Sequence, residues 1–485
     1  MKHYGPSLPK EVCWDMSIAE RAEGVRVLMH KPTRRAPILR CDMPWEGSFC
    51  CYGKVFFDGE KYRLYYRGLE HKDGFGSDKK HGVWCVAFSY DGKTFFRPDL
   101  GIFEFKGSKH NNIVMQIDNY AIDNFSIMLD LNPDCPPAER YKAFAGETPE
   151  GQPRRLRYYI SEDGLHFNEV DLVKTSGAFD SLNVCFYDDR KNLYALYLRG
   201  MHDADPAHKI PYEKEGWVRD VRVSYSSDME NWTEPKPLAF GEGDTDEIQL
   251  YTNGMMMYPE TDMYLAMPTR YIDRAVDFDN FRYLPDLGGE RVRAFDGVRE
   301  QRLGSAVTET MLMTSRDGEN FLRTKEAFWS PGLETRGNWT YGDGYFAVGM
   351  AETASDFEGE PNEISLYLGD HPNYKVVTFD RYTIRKDGFF SYRADFEGGE
   401  LVTKPFTFDG TNLTVNFSTS ALGYLRIEIL DEDGNAIEGY DTGRLFGNSL
   451  TRPCDFAAPL ADLAGGPVRF RITMRDADLY SFRFA

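Results

Sequence analysis

The 485-residue chain is short of positive charge. Lys and Arg number 57 against 77 Asp and Glu, a formal net charge of −20. Such a surface repels nucleic acid and anionic membranes, so a broad basic binding face is excluded, although a local basic pocket is not. Long hydrophobic runs are missing too, since no stretch approaches the roughly 18 apolar residues of a membrane span. Met1 to Lys10 lacks the apolar core of a secretory leader. The expectation is a cytoplasmic protein, or one whose leader has been removed. Cysteine is sparse, eight residues without metal or redox spacing. Cys50 and Cys51, adjacent on an expected strand, point to opposite faces. All eight read as reduced core residues of a reducing compartment.

Familiar chemical motifs are absent as well. There is no Walker loop, no dinucleotide glycine fingerprint after a strand and no His-Glu-x-x-His. Gly447-Asn448-Ser449 lacks the strand-to-helix setting of a nucleophile elbow. No cofactor and no metal site is expected, with a buried cation left open.

What is present is a repeat. Ser89-Tyr90-Asp91-Gly92 returns as Ser161-Glu162-Asp163-Gly164, as Ser226-Ser227-Asp228-Met229, as Ser315-Arg316-Asp317-Gly318, and in degenerate form as Arg385-Lys386-Asp387-Gly388. Asp-Gly between apolar, β-rich runs marks a tight hairpin, because both residues tolerate positive φ. Turns roughly 65 to 90 residues apart indicate a repeated four-stranded unit. The 29 Tyr and 34 Phe favour an all-β chain of many short strands.

Expected strands fall into five units: 48–58, 61–67, 83–90 and 95–105; 124–131, 141–146, 156–161 and 167–173; 181–187, 193–199, 221–225 and 232–238; 248–258, 263–268, 306–314 and 321–328; 345–353, 364–368, 376–384 and 389–394. Four-stranded sheets repeated radially make a β-propeller. Two unrelated sandwiches would not produce a regular turn between third and fourth strands. The expected division is an N-terminal strap over 1–44, a five-bladed β-propeller over 45–394 and a C-terminal β-sandwich over 395–485.

Strands alternate direction within a blade, so the repeated turns share one face of the ring. The other face receives the long loops 69–82, 201–220 and 271–305, and long loops on a rigid scaffold carry function. They hold His71, Lys72, His81, His202, Asp203, His208, Arg274 and Arg282. On that face the innermost strands open with Trp45-Glu46, Asp123-Asn124, Phe179-Asp180, Asp246-Glu247 and Asn338-Trp339. Carboxylates gathered at a partly dry axis repel, and their pKa values separate. One then donates a proton while another stays ionised, as cleavage of a glycosidic bond requires. Second strands end at Arg67, Arg199, Arg270 and, in unit five, Asp370-His371. Arginine there binds sugar hydroxyls or an anion, or neutralises a carboxylate neighbour. Trp45, Trp339 and Tyr341 offer a stacking wall for a sugar or propeller core.

The turns and the blade-start acids make the chain resemble the five-bladed β-propeller glycoside hydrolases: family 32 invertases and fructanases, family 68 levansucrases, and family 43 arabinanases and xylosidases. The resemblance spans roughly residues 40 to 394, with the appended sandwich similar to family 32. It implies catalytic acids at Glu46, Asp123 and Asp180. The invertase motif itself is replaced by Pro44-Trp45-Glu46-Gly47. The chain also resembles the family 130 mannoside phosphorylases, for which Arg67, Arg199, Arg270 and His371 would hold phosphate. The expected activity is a glycoside hydrolase working at the end of an oligosaccharide or polysaccharide, furanosides included. Glu46 is the candidate base or nucleophile, Asp180 or Glu247 the acid, and Asp123 the modulator. Trp45, Arg67, Asn124, Arg199, Arg270, Trp339 and His371 would line the site. A phosphorylase and a non-catalytic carbohydrate-binding propeller stand as alternatives. The partner is a carbohydrate, and a homo-oligomer stays open.

Overall fold

The computed structural model describes residues 1–5, 9–47, 50–69, 82–117, 122–149, 151–205, 207, 216–273, 284–285, 306–335, 337–370 and 377–485. Among these residues the structure is nearly all strand, and no helix is long and apolar enough to cross a membrane.

Five antiparallel sheets form the blades. Blade I holds Cys51–Phe57, Tyr62–Leu69, Gly82–Ser89 and Ile113–Ile117. Blade II holds Ile122–Leu129, Tyr141–Glu147, Arg155–Ser161 and Asn168–Leu172. Blade III holds Val184–Asp188, Leu193–Asp203, Trp217–Ser226 and Lys236–Pro237. Blade IV holds Met255–Met257, Tyr264–Ala266, Met313–Ser315 and Asn320–Arg323, and Thr269–Asp273 pairs with Ala306–Thr310 beyond it. Blade V places Tyr345–Phe346 and Ala351–Thr353 on Glu363–Asp370, followed by Val377–Ile384.

Two expected strands lie elsewhere. The fourth strand of blade I is Ile113–Ile117 rather than a stretch within 95–105, where Phe96 bridges Phe88 and Phe105 bridges Ser108 as isolated pairs. Pro98 has no N–H to give a ladder, which explains the delay. In blade V the fourth strand is not 389–394. Thr33–Cys41, from the N-terminal segment, pairs with Val377–Ile384 and closes the ring. Phe390–Ala394 instead joins the C-terminal sheet, between Val25–Met29 and Arg469–Phe484.

That second sheet system is sandwich-like. Its backbone is the long pair Leu413–Leu430 and Arg469–Phe484, whose register shifts let the strands bend. Lys10–Val12 and Gly399–Thr403 pair along the opposite edge of Arg469–Phe484. Phe406, Phe408, Leu425, Ile427, Phe470 and Phe482 fill the core between the layers.

The repeated turns are stitched alike. Ser89 Oγ accepts from Gly92 N at 2.9 Å, and Asp91 Oδ1 accepts from Lys93 N and Thr94 N at 2.8 Å. The copies at Ser161, Ser226 and Ser315 repeat the serine bond at 2.9 Å. A tyrosine of the preceding blade locks each glycine turn: Tyr65 OH donates to Gly164 O at 3.0 Å, Tyr197 to Gly318 at 2.9 Å and Tyr367 to Gly92 at 2.6 Å. A Cβ on Gly164 would lie 2.7 Å from that hydroxyl, and φ there is +72°, so glycine suits both the turn and the seam. The degenerate fifth copy does different work. Asp387 accepts from Lys10 Nζ at 2.8 Å, Tyr258 OH at 2.9 Å and Ser481 Oγ at 2.7 Å, tying blade IV to the second sheet system.

Candidate active site

The innermost strands of blades I and II open with a residue in the left-handed region, Tyr52 at φ 54° and Asn124 at φ 57°. Each sits at a register shift, between Cys51 and Lys54 and between Asp123 and Ser126. A non-glycine residue held there costs on the order of 1–2 kcal/mol. The bulge turns its side chain toward the axis.

Contacts then run around the ring from blade to blade. Asn124 Oδ1 of blade II accepts from Arg67 Nη1 of blade I at 3.2 Å. The Arg67 guanidinium lies 4.7 Å over Tyr52. Tyr52 is 5.5 Å from Tyr345 of blade V, and Tyr345 is 6.1 Å from Tyr251 at the entry to blade IV. Arg199 of blade III lies 4.4 Å over Tyr251 and donates to its carbonyl. Tyr341 and Tyr271 pack on Tyr251 at 5.6 Å each. Arg219 lies 4.8 Å over Tyr271 and 4.4 Å over Trp217. All five blades thus contribute to a centre of tyrosine and arginine. Burial first of all pushes the Tyr52 and Tyr345 hydroxyls well above their ordinary value, so both stay neutral.

The four carboxylates expected at this centre part company. Asp180 belongs to it. Its side chain is 27% exposed, with Arg154 Nη1 at 2.9 Å and Arg199 Nη1 at 3.2 Å. Burial, the largest single effect, opposes the Arg199 charge, but Asp180 together with Tyr251, Tyr52 and Tyr341 outweighs it and holds the guanidinium pKa above its usual value. Glu247 stands nearer the rim, 14% exposed, accepting from His202 Nε2 at 2.9 Å and Asp205 N–H at 3.2 Å. Its segment leads directly to Tyr251: Gln249 Oε1 accepts from Arg219 N at 2.9 Å, and Tyr251 N donates to Thr269 O at 2.7 Å. Asp123 lies on the first strand of blade II, its backbone opposite Gly146.

Glu46 does not join them. It is fully buried, and its oxygens accept from Tyr66 OH at 2.6 Å, Arg97 Nε at 2.7 Å, Arg97 Nη2 at 2.9 Å and Met43 N at 3.0 Å. Tyr66 belongs to the seam between blades I and V. Strand register puts Cys51, opposite Arg67, where blade II has Asp123. The tight turn before Gly47 moves Glu46 five residues upstream of that place and points it into the seam.

The other expected residues divide in the same way. Arg67, Asn124 and Arg199 meet at the axis. Trp45 faces outward, its indole N–H on Asn112 Oδ1 at 2.8 Å beside the fourth strand of blade I. Arg270 turns away from Tyr271 to pair with Glu309 and to donate to Lys325 O at 2.7 Å. Trp339, at φ 58°, donates to Gly332 O at 2.9 Å and is half-buried. His371 lies outside the described residues, as do His71, Lys72, His81, His208, Arg274 and Arg282.

Tyr52, Tyr251, Tyr271, Tyr345, Arg154 and Arg219 were not legible as site residues, because tyrosine reads as a strand former. One signal exists: Arg67 and Arg199 stand five residues after Tyr62 and Tyr194, which pair with the turn serines Ser89 and Ser226. Among the described residues no three His, Cys, Asp or Glu are placed to hold a metal ion. A cavity of about 460 Å³ opens on the turn face, away from this centre, between Asn132, Lys142, Tyr194 and Asp228.

No protein-family model matches the sequence, and no curated protein matches it. Solved structures with a similar fold include an N-acetylgalactosamine deacetylase from F. plautii in complex with blood group B trisaccharide, at 11% identity over 75% of this chain and 96% of that chain with a TM-score of 0.45. A thermostable family-43 glycoside hydrolase matches at 11% identity over 74% and 95%, TM-score 0.42. A structure from the GH130 family of mannoside phosphorylases, which contains glycoside hydrolases that target β-1,2 mannosidic linkages in Candida mannan, matches at 13% identity over 73% and 94%, TM-score 0.39. Likenesses this distant bring no function with them.

Proposed function

We propose that the chain is a glycoside hydrolase that cleaves an oligosaccharide or polysaccharide end in a pocket on the propeller axis. One observation carries the reading: Asp180, partly open to solvent, sits between two guanidiniums at a centre of tyrosine and arginine supplied by every blade. Tyrosine faces suit the apolar faces of sugar rings, and arginine suits their hydroxyls. Asp180 takes the part of base or nucleophile. Glu247 takes that of the acid, and Asp123 is kept as the third carboxylate, for sugar hydroxyls and for tuning. A separation of about 5–5.5 Å between the two working carboxyls in the substrate complex gives retention, and about 6.5–9.5 Å gives inversion.

A second reading has its own support. Arg199 is buried, and among the described residues its Nε has no hydrogen-bond partner. A buried guanidinium N–H suits an oxyanion, so phosphate as the attacking group would make the enzyme a phosphorylase. A screen of aryl glycosides and oligosaccharides, with and without inorganic phosphate, separates the readings. Free sugar without phosphate supports hydrolysis, and sugar phosphate formed only with phosphate supports phosphorolysis. Binding without turnover leaves a carbohydrate-binding propeller and overturns both.

A further inference from the structure

The second and third strands of blade III are longer than their counterparts in blades I and II and project past the ring as a ribbon. Register sets His202 opposite Val218 and Gly200 opposite Asp220, so His202 and Asp220 are diagonal neighbours on one face of it. His202 Nδ1 lies 2.8 Å from Asp220 Oδ2, and His202 Nε2 lies 2.9 Å from Glu247 Oε2. Asp220 is itself held, with Arg222 Nε at 3.0 Å on Oδ1 and Arg222 Nη2 at 3.2 Å on Oδ2. Gly200 makes room for that clamp, since a Cβ there would come within 2.0 Å of Arg222 Nε and 2.1 Å of Asp220 Oδ1.

We infer that His202 is a positioning residue for Glu247, an imidazole anchored by Asp220 that supplies the proton Glu247 passes to the leaving group. The inference rests on the glycosidase reading above. The Nε2 proton moves to Glu247, and the carboxyl hands it to the glycosidic oxygen, which keeps the electron pair of the breaking C–O bond while Asp180, or water activated by it, bonds to the anomeric carbon. His202 is left neutral, its Nδ1–H kept on nitrogen and donated to Asp220. With 43% of its side chain exposed, the ring takes its next proton from water.

The surrounding charges suit this role. Asp220 and Glu247 face the ring from the third strand and from the segment entering blade IV, and Arg222 compensates Asp220. Asp203 ends the same strand, Asp205 gives its N–H to Glu247, and Asp246 beside Glu247 pairs with Lys325 at 2.6 Å. Arg219 caps the neighbouring strand against Trp217. Burial disfavours the His202 cation, but hydrogen bonds to Asp220 and Glu247 outweigh it and raise its pKa above the ordinary value.

The test is a titration of ¹⁵N-histidine-labelled protein by NMR, with His202→Gln assigning the signal and Asp220→Asn and Glu247→Gln perturbing it. The inference expects His202 to titrate above the ordinary histidine value and to fall in each of the two carboxylate variants. On a substrate that the screen identifies, His202→Gln should lower kcat about 10- to 100-fold. Its KM should stay within about twofold, and its alkaline limb should move to lower pH. A His202 signal at or below the ordinary value and unmoved by Glu247→Gln, in an enzyme that still turns over, overturns the inference alone. Intact shifts in a protein that cleaves no glycoside overturn the glycosidase reading, and the proton-supply role with it.

Discussion

Arg97 grips both oxygens of Glu46, Nε to Oε1 at 2.7 Å and Nη2 to Oε2 at 2.9 Å, with the carboxylate wholly out of solvent. Neutralising Glu46 weakens these charge-assisted bonds, while Arg97 keeps Asp42 at 3.6 Å and 20% of its side chain in solvent, so the cost is about 1–3 kcal/mol. Glu46→Gln is therefore expected to lower the urea midpoint while kcat per folded molecule stays within about twofold. A hundredfold loss of kcat at unchanged stability would return Glu46 to the catalytic set.

Asp180 and Glu247 should behave in the opposite way. Asp180→Asn and Glu247→Gln are each expected to lower kcat by about 10²- to 10⁴-fold, the range of acid–base catalysis. Glu247 is partly exposed, so thermal unfolding of Glu247→Gln should move little, whereas Asp180→Asn takes a carboxylate from the buried Arg199 guanidinium and should lower the melting temperature as well. Steady-state kinetics beside a melting curve for each variant make the check.

Asp387 joins the propeller to the second sheet system through Lys10, Tyr258 and Ser481. Burial works to raise its pKa, but the Lys10 ammonium and the two hydroxyls win and lower it. The group thus contributes stability above its unfolded value of about 3.9, and loses it as pH falls toward the folded value. Asp387→Ala takes from the buried Lys10 ammonium its partner at 2.8 Å and leaves Glu260 at 3.7 Å, so a loss of about 3 kcal/mol is expected, with proteolysis near residues 385–395. Equal resistance of variant and parent to protease would refute this.

The repeated turns set an acid limit. Burial opposes ionisation of Asp163 and Asp317, but backbone N–H groups and the turn serine outweigh it and hold both at about 2. Their contribution is complete above about pH 4 and is lost as pH falls toward 2. An Asp163→Asn, Asp317→Asn variant should be less stable than the parent at pH 6 and should lose less of its stability between pH 4 and pH 2. Parallel stability curves over that interval would count against the role given to these turns.

Much of the fold was legible because its signals are local. The Ser-x-Asp-Gly turns close on residues within three positions of each other, so their hydrogen bonds are written in consecutive sequence. The site was less legible. In the sequence Glu46 and Asp123 both stand just before an expected innermost strand, but Asp123 lies on its strand whereas a turn swings Glu46 into the blade I–V seam. Asp387 looked like a fifth copy of the turn, but it lies where the chain leaves the ring, and its partners come from positions 10, 258 and 481.

By itself the sequence determined an all-β chain of repeated four-stranded units, since turn chemistry and apolar alternation act between near neighbours. The order of blades followed from the order of the turns. Tertiary structure alone decided which strand closes the ring, Thr33–Cys41, because that pairing joins residues more than three hundred positions apart. It also decided that tyrosine and arginine occupy the axis with Asp180, while Glu247 meets His202 and Asp220 on a projecting ribbon. Those neighbours come from different blades and from the segments between their strands, and their meeting depends on bulges and register that no stretch of adjacent residues encodes.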